Sequence, residues 1–551
     1  MIRFRSVSLV ALSASAALVL AGCSTGSMSD EVVEAPFDYA TQELVWAGCD
    51  EAWLVSNDQA STALTESRVE CATVLVPGSY DEGVSAPDFA IAMMRLSPLE
   101  GPVPEQAIFI NPGGPGGSGI EQVQYTEFPT DLRESFAFIG FDPRGVGKST
   151  MADGTSIRCS DVLDFVSYFS EATPSSEEEL DALIVENDRY YEDCAEANPY
   201  WWTLSTASVV DDLELMRSLV TPDQPLNFIG SSYGTTIAGR YVSEYPDMVG
   251  KIVFDSPTTV DTDRVASGLK DWEAAEEKLR IYVQGYADHL GVSFEEAWER
   301  VLEIRQRGDD DLLVGYAGFI PSTMDPASMV SSEALFTSGI FTLNYFPESD
   351  AIQAFIQGMD DAYATNWNGT FEWLAFRLDG YDPDSLDGAS LEEKNIERTN
   401  EYEVRVIVNT MDFSLPPLSE EEQRTLSTQF QEVAPLWSAL SSDASGYQYF
   451  GPPQGLDWYT LAMNDPAIPD PLSTPFIPSN TSGKQLLVIG SLFESVTPFP
   501  FAKDTAALLG AALISVDSDQ HAPAAYYDNQ CINSVLSEYF LTEAPVANKA
   551  C

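Results

Sequence analysis

Residues 226–235 read Leu226-Asn227-Phe228-Ile229-Gly230-Ser231-Ser232-Tyr233-Gly234-Thr235. The apolar half has the pattern of a short buried strand, and Thr235–Tyr245 then takes up helical spacing. Between them lies Gly-x-Ser-x-Gly. A serine on a strand-to-helix turn is a nucleophile elbow: the hydroxyl stands on a strained corner, and small flanking residues let neighbouring backbone approach. The five-residue pattern alone is weak, and its place between strand and helix gives it meaning.

Outward from the elbow, strand-like and helix-like stretches alternate. Apolar runs occur at Ala72–Val76, Phe89–Met94, Ala107–Asn111, Phe136–Asp142, Lys251–Asp255, Gln485–Ile489 and Ala512–Val516. Helical patterns occupy Ser205–Val220 and Ile532–Phe540. Such alternation predicts an α/β fold, a mostly parallel sheet flanked by helices. From about Val260 to Leu461 the style changes to acidic helical patterns, as in Leu269–Arg307. Pro466, Pro469, Pro471, Pro475 and Pro478 then read as an extended connector. The expected organisation is a core at 46–259, a helical cap at 260–464 and a return to the core at 465–551.

The 551 residues carry 27 Lys and Arg against 86 Asp and Glu, a net charge of −59. Nucleic-acid affinity comes mainly from cations neutralising phosphates, so this function is excluded. The 44% hydrophobic content supplies a large core and excludes global disorder. With only His289 and His521, zinc sites built on several histidines are excluded, and no metal or organic cofactor is implied.

The N-terminus sets the expected compartment. Arg3 and Arg5 precede an apolar, small-residue run at Val7–Leu20, so residues 1–22 read as an export signal. Leu20-Ala21-Gly22-Cys23 resembles a bacterial lipobox. This implies a lipid on Cys23, a tether over 23–45 and anchoring to the outer face of the cell membrane. Six cysteines remain: Cys49, Cys71, Cys159, Cys194, Cys531 and Cys551. An even count in an exported chain predicts disulfides. The cysteines fall as three local pairs, which makes neighbour pairing the simplest choice, although sequence alone leaves other connectivities open.

A serine nucleophile needs a base. His289 lies near the end of an amphipathic helix and reads as a surface or structural residue. His521 follows the last apolar strand and is the expected base. Two acids compete. Glu494 follows the strand ending at Gly490 and gives the order Ser232, Glu494, His521. Asp255 ends the strand just after the elbow and is the alternative. The run Asn111-Pro112-Gly113-Gly114-Pro115-Gly116-Gly117-Ser118-Gly119 contains Gly-x-Gly-x-x-Gly, with Asp142 where a dinucleotide site wants its ribose acid. Pro115 inside the turn and the export signal count against that reading. The run instead reads as an oxyanion loop supplying backbone N–H, with the Tyr233 N–H as the second donor.

Asn111–Gly119, Asp142-Pro143-Arg144-Gly145-Val146-Gly147-Lys148-Ser149, Gly230–Gly234 and Glu494-Ser495-Val496-Thr497-Pro498 occur in that order, with His521 following. Together they resemble the exported tripeptidyl aminopeptidase group of α/β-hydrolases, relatives of the prolyl aminopeptidases that include lipoprotein members. The resemblance runs from about Cys49 to Cys551 and is weakest in the cap. It implies a serine peptidase acting on peptide or protein substrates with free N-termini, an oxyanion hole formed by Gly113, Gly114 and Tyr233, and local disulfides. Acidic residues in or near the cap would hold the substrate amine. The family's acid is usually Asp, and here Glu stands there after one extra loop residue. A carboxylesterase or lipid esterase using the same triad is the nearest alternative. A non-catalytic binding lipoprotein on a hydrolase fold is the alternative of a different class. Oligomeric state is left open.

Overall fold

The computed structural model describes residues 37–55, 60–81, 85–159, 192–259, 264–309, 332–364, 400–412 apart from 402 and 410, 420–441, 481–526 apart from 482, and 529–551. The expected signal peptide, Cys23, the tether as far as residue 36 and the proline-rich connector at 465–478 lie outside these residues.

Among the described residues ten strands form one sheet: β1 Ser67–Val76, β2 Phe89–Pro98, β3 Ala107–Asn111, β4 Ala137–Phe141, β5 Thr150–Met151, β6 Leu226–Ser231, β7 Val249–Asp255, β8 Leu486–Ser491, β9 Ala512–Val516 and β10 Lys549–Ala550. Their order is β1-β2-β4-β3-β6-β7-β8-β9-β10, with β5 against β2. From β4 through β10 neighbouring strands run parallel. The β1–β2 and β2–β4 pairs are antiparallel.

The parallel centre reads as unbroken apolar sequence because helices cover both faces. Every residue of β3, β4 and β8 is buried. Side chains alternate between two cores. Phe109, Ile139 and Phe228 pack with Leu213, Met216 and Tyr241 on one face. Ile108, Phe138 and Ile489 pack with Val123, Ile532 and Val535 on the other. The chain steps from β3 outward to β4, then returns to β6 on the other side of β3. The crevice at the carboxyl ends of β3 and β6 is therefore a topological switch point, where ligands bind in open α/β sheets. The glycine run leaves β3 there, and the elbow leaves β6.

A third core belongs to the helices Arg264–Leu290, Phe294–Asp309, Ser332–Thr342, Glu348–Tyr363, Glu420–Val433 and Pro435–Ser441. Tyr282, Tyr286, Phe355, Phe430 and Trp437 are buried among them. The stretch 400–412 lies within the same insertion but joins the sheet's own core through Val404, Ile407, Val408 and Met411. No helix among the described residues is long and apolar enough to cross a membrane.

Disulfides join Cys49 to Cys71, Cys159 to Cys194 and Cys531 to Cys551, the neighbouring pairs expected from the sequence. Arg144 has a structural part. Its buried guanidinium forks onto Asp212 at 2.8 and 2.6 Å and donates to the carbonyls of Pro77, Gly78 and Thr203. An ion pair this deep needs every donor engaged to offset its lost hydration.

Candidate active site

The elbow is built by close backbone approach. A Cβ at Gly230 would stand 2.3 Å from Gly234 O, and one at Gly234 would stand 2.6 Å from Asn111 O. Both glycines of the motif are thus sterically required. Ser232 between them has φ 53°, a left-handed conformation that costs a non-glycine residue free energy. Its N–H donates to Asp255 O at 2.9 Å, which fastens the corner to the end of β7.

Glu494 and His521 are brought together from the ends of β8 and β9. Nδ1 of His521 lies 2.6 Å from Glu494 Oε2, with both side chains buried. An ionised carboxylate only accepts, so Nδ1 carries the proton and Nε2 is left as an acceptor. Thr497 Oγ1 donates to the same Glu494 oxygen at 3.0 Å, and Ser256 Oγ donates to Oε1 at 2.7 Å. Among the hydrogen bonds of the described residues none joins Ser232 Oγ to His521. Such bonds are often long in unliganded sites and tighten with substrate.

Asp255 takes a different place. Its carboxylate accepts from Ser231 Oγ at 3.2 Å and from Ala524 N–H at 3.2 Å. It therefore clamps the elbow to the His521 loop from behind, instead of orienting the imidazole. Burial, with the Glu494 charge adding to it, pushes this carboxyl up to about 7 from an ordinary 3.8. His289 lies in the third core's first helix, half-exposed, with Nε2 3.3 Å from Asp360.

The glycine loop packs directly on the elbow. The Gly113 N–H donates to Asn111 Oδ1 at 3.0 Å. This corrects the expectation that Gly113 is an oxyanion donor, because its proton is already spent. Its contribution is steric. A Cβ there would lie 2.6 Å from Ser231 O, 2.8 Å from Tyr233 N and 2.9 Å from Ser232 Cβ, and φ is +104°. Among the described residues neither the Gly114 nor the Tyr233 N–H is taken by a protein acceptor. Gly113→Ala must push backbone off backbone at the corner holding Ser232. It should lower kcat/KM at least about a hundredfold, the order of losing one oxyanion donor. Steady-state kinetics beside a melting curve would check this, and near-wild-type kinetics would contradict the packing argument.

Asp142 is spent inside the fold as well. It accepts from Ser118 Oγ at 2.5 Å, Ile120 N–H at 3.2 Å and Lys148 N–H at 2.9 Å. It joins the two glycine loops and starts the helix Gly119–Tyr125, where a dinucleotide site would need it facing a ribose. Tyr233 turns its ring away from the corner into a chain running through Thr206 to Asp412. Asn400 and Arg405 grip both loops. Asn400 bonds Gly145 O and the Gly147 N–H, and Arg405 Nε donates to Pro115 O at 3.3 Å.

The helical insertion closes the other side. Tyr345 stands edge-on to the His521 ring, centroids 6.0 Å apart. Asn344 Oδ1 accepts from Ser495 Oγ at 3.1 Å. Asp519, two residues before His521, accepts from the Glu348 N–H and lies 3.4 Å from Lys278 Nζ. Among the described residues no group of three or more His, Cys, Asp or Glu is placed to hold a metal ion.

Sequence reasoning missed Ser256, the Thr497 contact and the grip of Asn400 and Arg405. Thr497 lay inside a quoted motif without a role. Ser256 carried no local signal beyond its place after Asp255.

The α/β hydrolase fold family matches residues 106–305, which include Gly113 and Ser232. The TAP-like protein family matches 463–551, which include Glu494 and His521. The chain has the α/β-hydrolase fold, and its C-terminal part is similar to TAP-like proteins. Among its relatives, Serine protease Hip1 of Mycobacterium tuberculosis is 24% identical over 493 residues, covering 86% of this chain and 85% of that protein. Tripeptidyl aminopeptidase of Streptomyces lividans is 28% identical over 285 residues, covering 48% and 49%. Carboxylesterase B of Mycobacterium tuberculosis is 25% identical over 519 residues, covering 90% and 87%. The protein is a serine hydrolase.

Proposed function

We propose that this hydrolase is an exported, lipid-anchored serine peptidase that removes short peptides, most simply tripeptides, from free N-termini. Ser232 attacks the scissile carbonyl while His521 Nε2 takes its proton. Glu494 holds the imidazole in the tautomer this requires and stabilises the cation that forms. The Gly114 and Tyr233 N–H groups receive the oxyanion. His521 returns its proton to the departing amine, and water then resolves the acyl-enzyme by the same route.

The observation that carries this reading is the buried 2.6 Å Glu494–His521 pair beside a left-handed serine corner. The TAP-like match and the peptidase relatives support peptide substrates. Three disulfides suit an oxidising compartment, which supports export. The seating of the helical insertion over His521 supports a cap that limits substrate length. Acidic cap residues would hold the substrate ammonium.

A tripeptide amide with a free N-terminus, its N-acetyl twin and a short-chain ester test the substrate class. The expected result is cleavage of the free-amine peptide and rejection of the acetylated one. Equal cleavage of both would make the enzyme an endopeptidase. The carboxylesterase relative favours the second reading, a carboxylesterase, and turnover of the ester alone would establish that instead. A binding protein on this fold would cleave none of the three.

A further inference from the structure

Among the described residues three non-glycine positions have positive φ: Ser232 at 53°, Ser256 at 48° and Ala522 at 51°. Strained backbone persists only where its surroundings over-determine it, and it gathers at functional sites. Ser232 is the elbow. Ser256 follows β7 and Ala522 follows His521, and these two are bonded to each other: the Ala522 N–H donates to Ser256 Oγ at 3.0 Å. Ser256 Oγ then donates to Glu494 Oε1 at 2.7 Å. The Ser256 N–H continues the sheet ladder beyond β7 by donating to Ile489 O at 2.9 Å. Residue 256 is fully buried.

One hydroxyl thus touches both partners of the acid–base pair, the side chain of Glu494 and the peptide bond that follows His521. We propose that Ser256 is a positioning residue that sets Glu494 and His521 in register. This rests on the reading of Glu494 as the triad acid. A glutamate has one more rotatable bond than an aspartate, so its carboxylate needs more holding points to present a single oxygen to Nδ1. Oε2 meets His521 and Thr497, and Ser256 fixes Oε1, the oxygen that would otherwise swing free. Without that bond Glu494 samples other rotamers, and the imidazole spends less time with Nε2 aimed at Ser232.

The test is inactivation by a fluorophosphonate, resolved into apparent affinity KI and limiting rate kinact, which needs no knowledge of the natural substrate. Ser256→Gly removes the hydroxyl and tolerates the left-handed backbone, and Ser256→Ala removes it in a second backbone context. Melting curves establish that each variant is folded. Both should lower kinact about 10- to 100-fold, as loss of a supporting partner does, with KI unchanged within about twofold. In a Glu494→Gln background the same substitutions should cost less than about twofold more, because groups acting through one another are not additive. A full additional loss in that background would reduce Ser256 to a general structural part and overturn the proposal. So would an unchanged kinact in folded Ser256→Gly and Ser256→Ala when Glu494→Gln alone is crippled. If Glu494→Gln keeps its kinact, the acid reading itself falls, and the proposal falls with it.

Discussion

Replacing Ser232 by alanine should lower kcat by about a millionfold while leaving the fold intact. Groups that act as a unit fail together, and removing the nucleophile costs about as much as removing the whole triad. What remains is the contribution of binding and of the oxyanion donors, which act without the serine. The substitution has little structural cost. The Ser232 side chain makes no hydrogen bond among the described residues, and its backbone bond to Asp255 O survives in alanine. The left-handed φ of 53° is already borne by a residue with a Cβ. Wild-type melting with activity lost would therefore place the whole effect in the chemistry. Residual turnover above about one part in a thousand would mean another nucleophile.

Glu494→Gln should cost about 10⁴-fold in kcat, and Asp255→Asn less than about tenfold. An amide at 494 presents an N–H to Nδ1. This drives the imidazole proton to Nε2, the nitrogen that must accept from Ser232. Asparagine at 255 keeps a carbonyl oxygen for Ser231 Oγ and the Ala524 N–H, the two groups now on that carboxylate. Asp255 should reveal itself in stability instead. Its folded-state carboxyl is pushed up to about 7 from 3.8, so between those values the native protein holds a proton that the unfolded chain has released. That contribution is fully present below about pH 4 and is lost as pH rises through about 7. Asp255→Asn removes the slope, so its melting temperature should gain on wild type between pH 4 and 8. Kinetics that fail in Asp255→Asn and survive in Glu494→Gln would exchange the two roles.

Much of the sheet was legible because a buried parallel strand needs an apolar run, and each run stands between turn signals. β3 begins and ends where the sequence placed it, at Ala107–Asn111. The antiparallel edge was not legible. β1 begins at Ser67 with half-buried Ser67, Arg68, Val69 and Glu70, whose pattern gives no apolar signal. β5 and β10 have two residues each, too few for any periodicity. At the site, Ser232, Glu494 and His521 were nameable as candidates because each follows an apolar strand. Histidine gave the clearest reading, since only two exist. The fate of the Gly113 proton was hidden, because an asparagine two residues earlier turning back on the loop is a matter of rotamer. Ser256 was hidden for a related reason. Its partners stand 238 and 266 residues away in the chain, and only the sheet brings them together.

Peptide mapping after fluorophosphonate treatment tests whether the Glu494–His521 pair activates Ser232. Intact mass should show one adduct per chain, and fragmentation should place it on Ser232. His521→Ala and Glu494→Gln should label far more slowly. Rapid labelling of both variants, or an adduct on any other residue, would mean that this pair does not activate Ser232.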